Sequence, residues 1–240
     1  MGSEMCIRDR PGGMSVSELS TSAQNYLKVI WGLTEWSSEP VTPTRISERI
    51  GLKLSSVSDA VRRLTSQGLL THAPYGSVEL TESGRKYALA MIRRHRLIET
   101  FLVETLGYTW DQVHDEAESL EHAVSDFLID RIDALLDHPT RDPHGDPIPS
   151  KEGKLDVPDA QTLSEVGPGK DVIVERISDS DPALLQYFSE QEICVGVRLA
   201  VAEGGPFSDA LLVTPARRGA KTVPLGRSAT DVLYVSLAAS

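Results

Sequence analysis

Two consecutive predicted helices carry side chains able to hold a first-row divalent cation. The first, from about Thr81 to Leu106, contains the segment MIRRHRLIETF, in which His95 and Glu99 are spaced i, i+4. The second, from about Thr109 to Leu136, contains VHDEAESLEHAVSD. There His114, Glu118, Glu121 and His122 fall at i, i+4, i+7 and i+8, one continuous helical face. Imidazole and carboxylate donors in one cluster suit first-row divalent metals. A single His–Glu pair at i, i+4 is usually an ordinary surface pair. Four such residues flanking an apolar stripe read differently, because semi-buried carboxylates repel unless a cation joins them.

The elements that must position these groups follow from hydrophobic periodicity. The second helix has Val113, Ala117, Leu120, Val124, Phe127 and Leu135 on one stripe, to be covered by its own domain or by a second subunit. Upstream, residues 20–35 place Tyr26, Leu27, Ile30, Trp31 and Leu33 at helical spacing. A short helix over Thr44–Ile50 is entered through Pro43 and closed by Gly51. A third runs from Ser55 to Gln67, with Ser55 or Ser56 as cap, Gly68 as stop, and Val57, Val61 and Leu64 inward. Two apolar runs, Leu69–Thr71 and Val78–Leu80, flank Ala73-Pro74-Tyr75-Gly76, a hairpin signal. Helix, turn, helix, hairpin is the order of a winged helix-turn-helix. In that reading Ser55, Ser56, Ser58 and Asp59 face base edges in the major groove. Lys53, Arg62, Arg63 and the wing around Tyr75 reach phosphates. The bland alternative is a helical hairpin with no DNA role.

Charge distribution favours the DNA reading. The 240-residue chain has a net charge of −11, which by itself argues against a nucleic-acid partner. From Val41 to Thr100, however, ten Lys/Arg stand against five Asp/Glu, and from Phe101 to Thr140 one Arg stands against ten Asp/Glu. A basic segment followed by an acidic one fits phosphate contact followed by cation binding. Hydrophobic content of 40% is ordinary for a globular protein, and no stretch has the length of a membrane span. Residues 1–13 lack the apolar core of a secretory signal and read as a disordered or non-native leader, with Met14 as natural start. With Cys6 in that leader and Cys194 alone in the body there is no disulfide framework, which fits a reducing, cytoplasmic setting. Prolines 139, 143, 147, 149 and 158 mark an interdomain linker, and the short strands beyond suit a small β-barrel. No nucleophile–base pair or phosphate-binding glycine loop suggests an enzyme.

The segments RHRLIETFL, VHDEAESLEHAVSD and HPTRDPHGDPIP, with the winged helix, resemble the diphtheria toxin repressor family, and within it the manganese transport regulators. The resemblance is specific over roughly residues 20–150, and the tail is similar to the family's SH3-like domain. It implies a mainly α fold with a small β domain. The divisions are a leader (1–13), a winged-helix DNA-binding domain (14–82), a metal-binding and dimerisation domain (83–140), a Pro-rich linker (141–160) and an SH3-like β-barrel (161–240). It implies one metal site of Glu118, Glu121 and His122 with Asn25 from the first helix, and a neighbouring site of His95, Glu99 and His114. Iron-responsive relatives typically have cysteine at the Glu118 position, and a carboxylate there favours Mn²⁺. Two departures stand out. Asn25 replaces the acidic residue usual in manganese-type relatives, and Lys28 occupies a position where some relatives place a carboxylate. The function implied is a homodimeric, Mn²⁺-dependent repressor of manganese uptake genes that binds a palindromic double-stranded DNA operator, with no membrane and no small organic substrate. Fe²⁺ is the alternative effector, and Zn²⁺, Co²⁺ or Cd²⁺ would substitute in vitro. Two rivals are a di-metal carboxylate helical-bundle protein and a metal-free regulator sensing a small molecule. The bundle needs Glu-x-x-His on two helices, whereas Glu118 lies four residues before His122 and no second copy pairs with it.

Overall fold

Polar caps begin the first helices. In the computed structural model, which describes residues 15–72 and 76–238, the Ser20 side chain accepts from the backbone of Ala23 and opens α1 (Thr21–Glu35). Such a cap stabilises a helix by about 1 kcal/mol. Thr42 caps α2 (Pro43–Ile50), Pro43 occupies its first turn, and Gly51 closes it at φ 74°, a left-handed conformation that glycine adopts without strain. Helix α3 (Leu54–Ser66) starts two or three residues earlier than the serine-cap reading expects. Lys53 is its N-cap, with no side-chain cap bond, so Ser55 and Ser56 sit exposed in the first turn. Strands β1 (Leu70–His72) and β2 (Val78–Leu80) pair antiparallel, Leu70 opposite Leu80. Tyr75 and the leader 1–13 lie outside the described residues.

The chain divides into two compact units, one ending at Met91 and the other running from Ile92. In the first, Leu27, Ile30, Ile46, Val57, Val61, Leu64, Leu70 and Val78 form one core. At the start of α4 (Glu82–Leu106), a Cβ on Gly84 would lie 2.0 Å from the Leu69 carbonyl oxygen, so only glycine permits this contact. Thr81 secures the junction, its hydroxyl donating to the Gly68 carbonyl and accepting from Gly84 N–H.

In the second unit the remainder of α4 packs with α5 (Val113–Leu120) and α6 (Asp126–Leu135) around Leu97, Ile98, Leu102, Val113, Ala117, Ile129 and Ile132. The single helix expected from Thr109 to Leu136 is therefore broken. Arg94 accounts for the break: its guanidinium donates to the carbonyls of Glu121 and Val124 and pairs with Asp126, satisfying groups that a continuing helix would have used. Ser125 then caps α6. The break shifts the helical phase, so the stripe changes. Phe127 and Leu135 are each 64% exposed, while Ile129 and Ile132 are buried in their place.

The proline-rich segment is a packed strap over residues 142–149 rather than an open tether. Arg96 of α4 donates to the Pro147 carbonyl and Arg93 to that of Pro149. Beyond it lies a six-stranded antiparallel sheet, in the order β3-β8-β4-β5-β6-β7. Its strands are β3 (Gln161–Thr162), β4 (Lys170–Ile177), β5 (Arg198–Glu203), β6 (Leu211–Pro215), β7 (Val223–Leu225) and β8 (Leu233–Leu237). Inward residues Val172, Val174, Leu199, Val213 and Leu233 pack with Leu185 and Phe188 of a covering helix, Pro182–Glu190. Among the described residues, no helix is long and apolar enough to cross a membrane.

Candidate metal centre

The cluster grows from one face of α4. His95 and Glu99, one turn apart, are both buried, and the His95 Nε2 to Glu99 Oε1 distance is 3.0 Å. The other ring nitrogen of His95, Nδ1, meets Glu121 Oε2 at 2.6 Å. His95 thus bridges two carboxylates whose side chains are 1% and 0% exposed. Glu121 is the C-cap of α5 and His122 lies in the turn beyond it, their side chains 3.3 Å apart. Glu121 keeps helical backbone angles and its bond to the Ala117 carbonyl, so it reaches His95 from the same face that carries Glu118. Glu118 stands half-buried, and one ligand atom each from His95, Glu118 and Glu121 can be drawn within 4.8 Å of one another.

Glu99 is the hub of a second cluster. His114 of α5 approaches it through Nδ1 at 3.2 Å. The same Nδ1 lies 3.1 Å from Asp179, just after β4. On the other side His144 Nδ1 lies 3.9 Å from Glu99 Oε2, beside the buried Asp142 of the strap. Two ligand-spaced groups result, His95–Glu99–His114–Asp179 and Glu99–Asp142–His144. His144 Nε2 donates to the Trp110 carbonyl at 2.7 Å, and the two rings stack 6.0 Å apart. Its Nδ1 is buried with no hydrogen-bond partner. A histidine fixed by a carbonyl on one nitrogen, with the other facing carboxylates, has the arrangement of a metal-ligating imidazole.

Charge balance points the same way. Burial pushes the Glu99 carboxyl up, but the surrounding imidazoles outweigh it and hold it well below the usual carboxylate range. Hydrogen bonds to Asp179 and Glu99 raise His114 to about 10. Asp179 is lowered by His114 despite its burial. Asp142, buried beside Asp146 and Glu99, is pushed up to about 8. Protons on imidazoles therefore supply the positive charge that a divalent cation would otherwise bring. Every donor is an imidazole or carboxylate, which fits a first-row divalent cation.

The structure brings together His95, Glu99, His114, Glu118, Glu121 and His122. Sequence reasoning missed Asp142, His144 and Asp179. The first two lie in HPTRDPHGDPIP, where the Asp-x-His spacing was a usable signal, whereas Asp179 is remote in sequence and carried none. Asn25 stands on α1 in the first unit, its Oδ1 buried without a hydrogen-bond partner. On α3, Lys53, Ser55, Ser56, Asp59, Arg62 and Arg63 are exposed. Ser58 is half-buried and donates to the Leu54 carbonyl, and Asp59 pairs with Arg62 at 2.9 Å.

Comparison with known proteins assigns the class. Residues 18–78 match the iron-dependent repressor N-terminal DNA-binding domain, 81–150 its metal-binding and dimerisation domain, and 161–236 the FeoA domain. The iron-dependent repressor IdeR of Mycobacterium leprae is 34% identical over 218 residues, covering 83% of this chain and 91% of that protein. The diphtheria toxin repressor of Corynebacterium diphtheriae is 38% identical over 56% of this chain and 59% of its own. The chain belongs to the iron-dependent repressor, or diphtheria toxin repressor, family. It is a metal-dependent transcriptional repressor with a DNA-binding, a metal-binding and dimerisation, and an SH3-like FeoA domain, and is not an enzyme. Among solved structures, a manganese-dependent transcriptional repressor in complex with manganese is 49% identical with a TM-score of 0.86, over 90% of this chain and all of that one. ScaR with bound Zn²⁺ is 31% identical with a TM-score of 0.76, over 90% and 99%.

Proposed function

We propose that the effector is Mn²⁺ and that the loaded homodimer binds a palindromic operator to repress manganese uptake genes in the cytoplasm. The observation that carries this reading is the donor set. Glu118, Glu121, Glu99, Asp142 and Asp179 supply carboxylates, His95, His114, His122 and His144 supply imidazoles, and no sulfur is among the clustered groups. Oxygen-rich sets favour manganese over softer ions through ligand type and geometry, although raw affinity would favour later metals of the row. A neighbour of 49% identity described as manganese-dependent supports the same choice.

The first cation site comprises Glu118, Glu121 and His122, with the amide oxygen of Asn25 as a further donor. The second is centred on Glu99 and draws on His114, Asp142, His144 and Asp179. His95, between Glu99 and Glu121, is a donor of the second site. Through Asn25 the first site ties the DNA-binding domain to the dimerisation helices, so that loading favours the DNA-competent arrangement among those the chain already samples. Lys53, Arg62, Arg63 and Tyr75 contact phosphates, and Ser55, Ser56, Ser58 and Asp59 face the bases. Operator binding titrated separately with Mn²⁺, Fe²⁺ and Zn²⁺ tests the reading. Activation by Mn²⁺ at lower free concentration than Fe²⁺ is expected, and the reverse order identifies an iron-responsive repressor.

A further inference from the structure

Asp146 lies outside both candidate cation sites, yet it is one of the most constrained side chains near them. One of its oxygens, Oδ1, is 2.6 Å from Arg176 Nε of β4 and 3.3 Å from a terminal nitrogen of Arg96 on α4. All three side chains are less than a tenth exposed. The Asp146 backbone N–H donates to Asp142 Oδ1 at 2.9 Å, and so does that of His144. The two strap ligands are therefore fixed through a short turn whose last residue is gripped from both sides.

Two backbone features complete the grip. The N–H of Ile177 donates to the His144 carbonyl, and Gly145, at φ 89°, lies so close to β4 that an added Cβ would stand 2.1 Å from the Glu175 carbonyl oxygen. The β4–β8 pairing shifts register between Val174 and Arg176. Arg176 and Ile177 are consequently both buried, which strict strand alternation forbids. Arg176 also stacks over Tyr234, its guanidinium carbon 4.8 Å from the ring centre. The strand that grips the strap ends just before Asp179, the third missed ligand.

We propose that Asp146, held between Arg96 and Arg176, is the positioning residue of the second cation site. It sets the turn that aims Asp142 and His144 at Glu99, and it registers that turn against the strand delivering Asp179. This rests on the reading that a cation is held around Glu99. A partner that only orients ligands typically changes metal affinity 10–100-fold when removed.

The test is calorimetric titration of the full-length chain with Mn²⁺, resolving two equivalents per chain, on wild type, Asp146→Asn, Arg176→Gln, Arg176→Lys and Gly145→Ala. Asp146→Asn and Arg176→Gln are expected to weaken the second equivalent 10–100-fold and the first less than threefold. Arg176→Lys, which keeps one charged contact to Asp146, recovers part of that loss. Gly145→Ala lifts the strap from β4 without altering charge and reproduces the same selective loss, so the proposal stays testable if Asp146→Asn does not fold. Unchanged second-equivalent affinity in Arg176→Gln and Gly145→Ala overturns the positioning role. Equal weakening of both equivalents reduces it to a general structural one and overturns it as well. A wild-type chain that binds a single equivalent instead removes the two-site reading on which the proposal stands.

Discussion

The two cation clusters are built in opposite ways. The one around Glu121 draws its imidazoles and carboxylates from α4, α5 and the turn that follows, elements adjacent in sequence, with Asn25 of α1 as the one proposed remote donor, and Arg94 fixes that turn through backbone carbonyls. The one around Glu99 gathers α4, α5, the strap and the end of β4, and is fixed by the half-buried His114–Asp179 pair and the buried Arg176–Asp146 pair. The first can form as soon as two neighbouring helices pack. The second requires the FeoA domain to be folded and docked. Loading of the proposed second site would therefore depend on the third domain, whereas that of the proposed first site would not.

The largest expected effect separates the clusters by their consequences for DNA. Glu121→Ala or His122→Ala should abolish Mn²⁺-stimulated operator binding, a loss of at least about 100-fold in the apparent constant on the upper scale for metal-site changes. The dimer should remain folded by circular dichroism and sedimentation, and normal activation of either variant would remove the first site from the mechanism. Asp179→Ala or His144→Ala should cost less, about 10-fold in the Mn²⁺ concentration needed for half-maximal operator binding. If these variants matched Glu121→Ala in severity, the two clusters would be one functional unit.

A pH experiment sharpens the contrast, because both raised histidines, His114 and His144, belong to the Glu99 cluster. His114 is raised from 6.5 to about 10 by Asp179 and Glu99. Its proton therefore stabilises the cation-free fold fully below about pH 6.5, and that contribution is lost as pH climbs through about 10. Ligation needs the neutral ring, so Mn²⁺ affinity at this cluster should rise with pH and binding should release a proton. Calorimetry in buffers of different ionisation enthalpy measures that release, and His114→Gln should reduce it, leaving the proton that Asp142 holds below about pH 8.

Much of this was readable in the sequence, and the failures share a cause. The winged helix was legible because Ile46, Val57, Val61 and Leu64 obey a local period and Gly51 and Gly68 punctuate it. The clustering of six imidazole and carboxylate side chains was legible because five of them recur at helical spacing on α4 and α5 and on the residue that caps α5. The helix break was not, since it depends on Arg94 reaching across from another helix to carbonyls that no sequence pattern marks. The cap of α3 was misplaced by two or three residues because serine propensity favours a later start than the actual one at Leu54. Phe127 and Leu135 are exposed in the single chain, which leaves a second subunit as the cover for that end of the stripe. Asp179 was invisible because its partners come from a different domain.

Smaller effects belong to the DNA-binding unit. Arg63→Ala should weaken operator binding uniformly across sequences and lower the slope of log K against log salt by about one. Arg62→Ala should do less, since Arg62 must first leave Asp59. An unchanged slope would take that side chain off the phosphate backbone. Asn25→Asp should produce the smallest shift, a few-fold tightening of Mn²⁺ activation as a neutral amide oxygen becomes a charged one. No change would mean that the buried Asn25 oxygen serves the core of its own helix.

The strap also governs how the chain comes apart. Residues 142–149 are largely enclosed, whereas Lys151, Glu152, Lys154 and Asp156 just beyond them are exposed. A protease such as trypsin should therefore cleave at Lys151 or Lys154 and spare the preceding turn. The nick leaves Asp146 on one fragment and Arg176 on the other, still joined through the buried pair and the Ile177 to His144 bond. Under native conditions the cleaved chain should travel as one particle, separating into two pieces only when denatured.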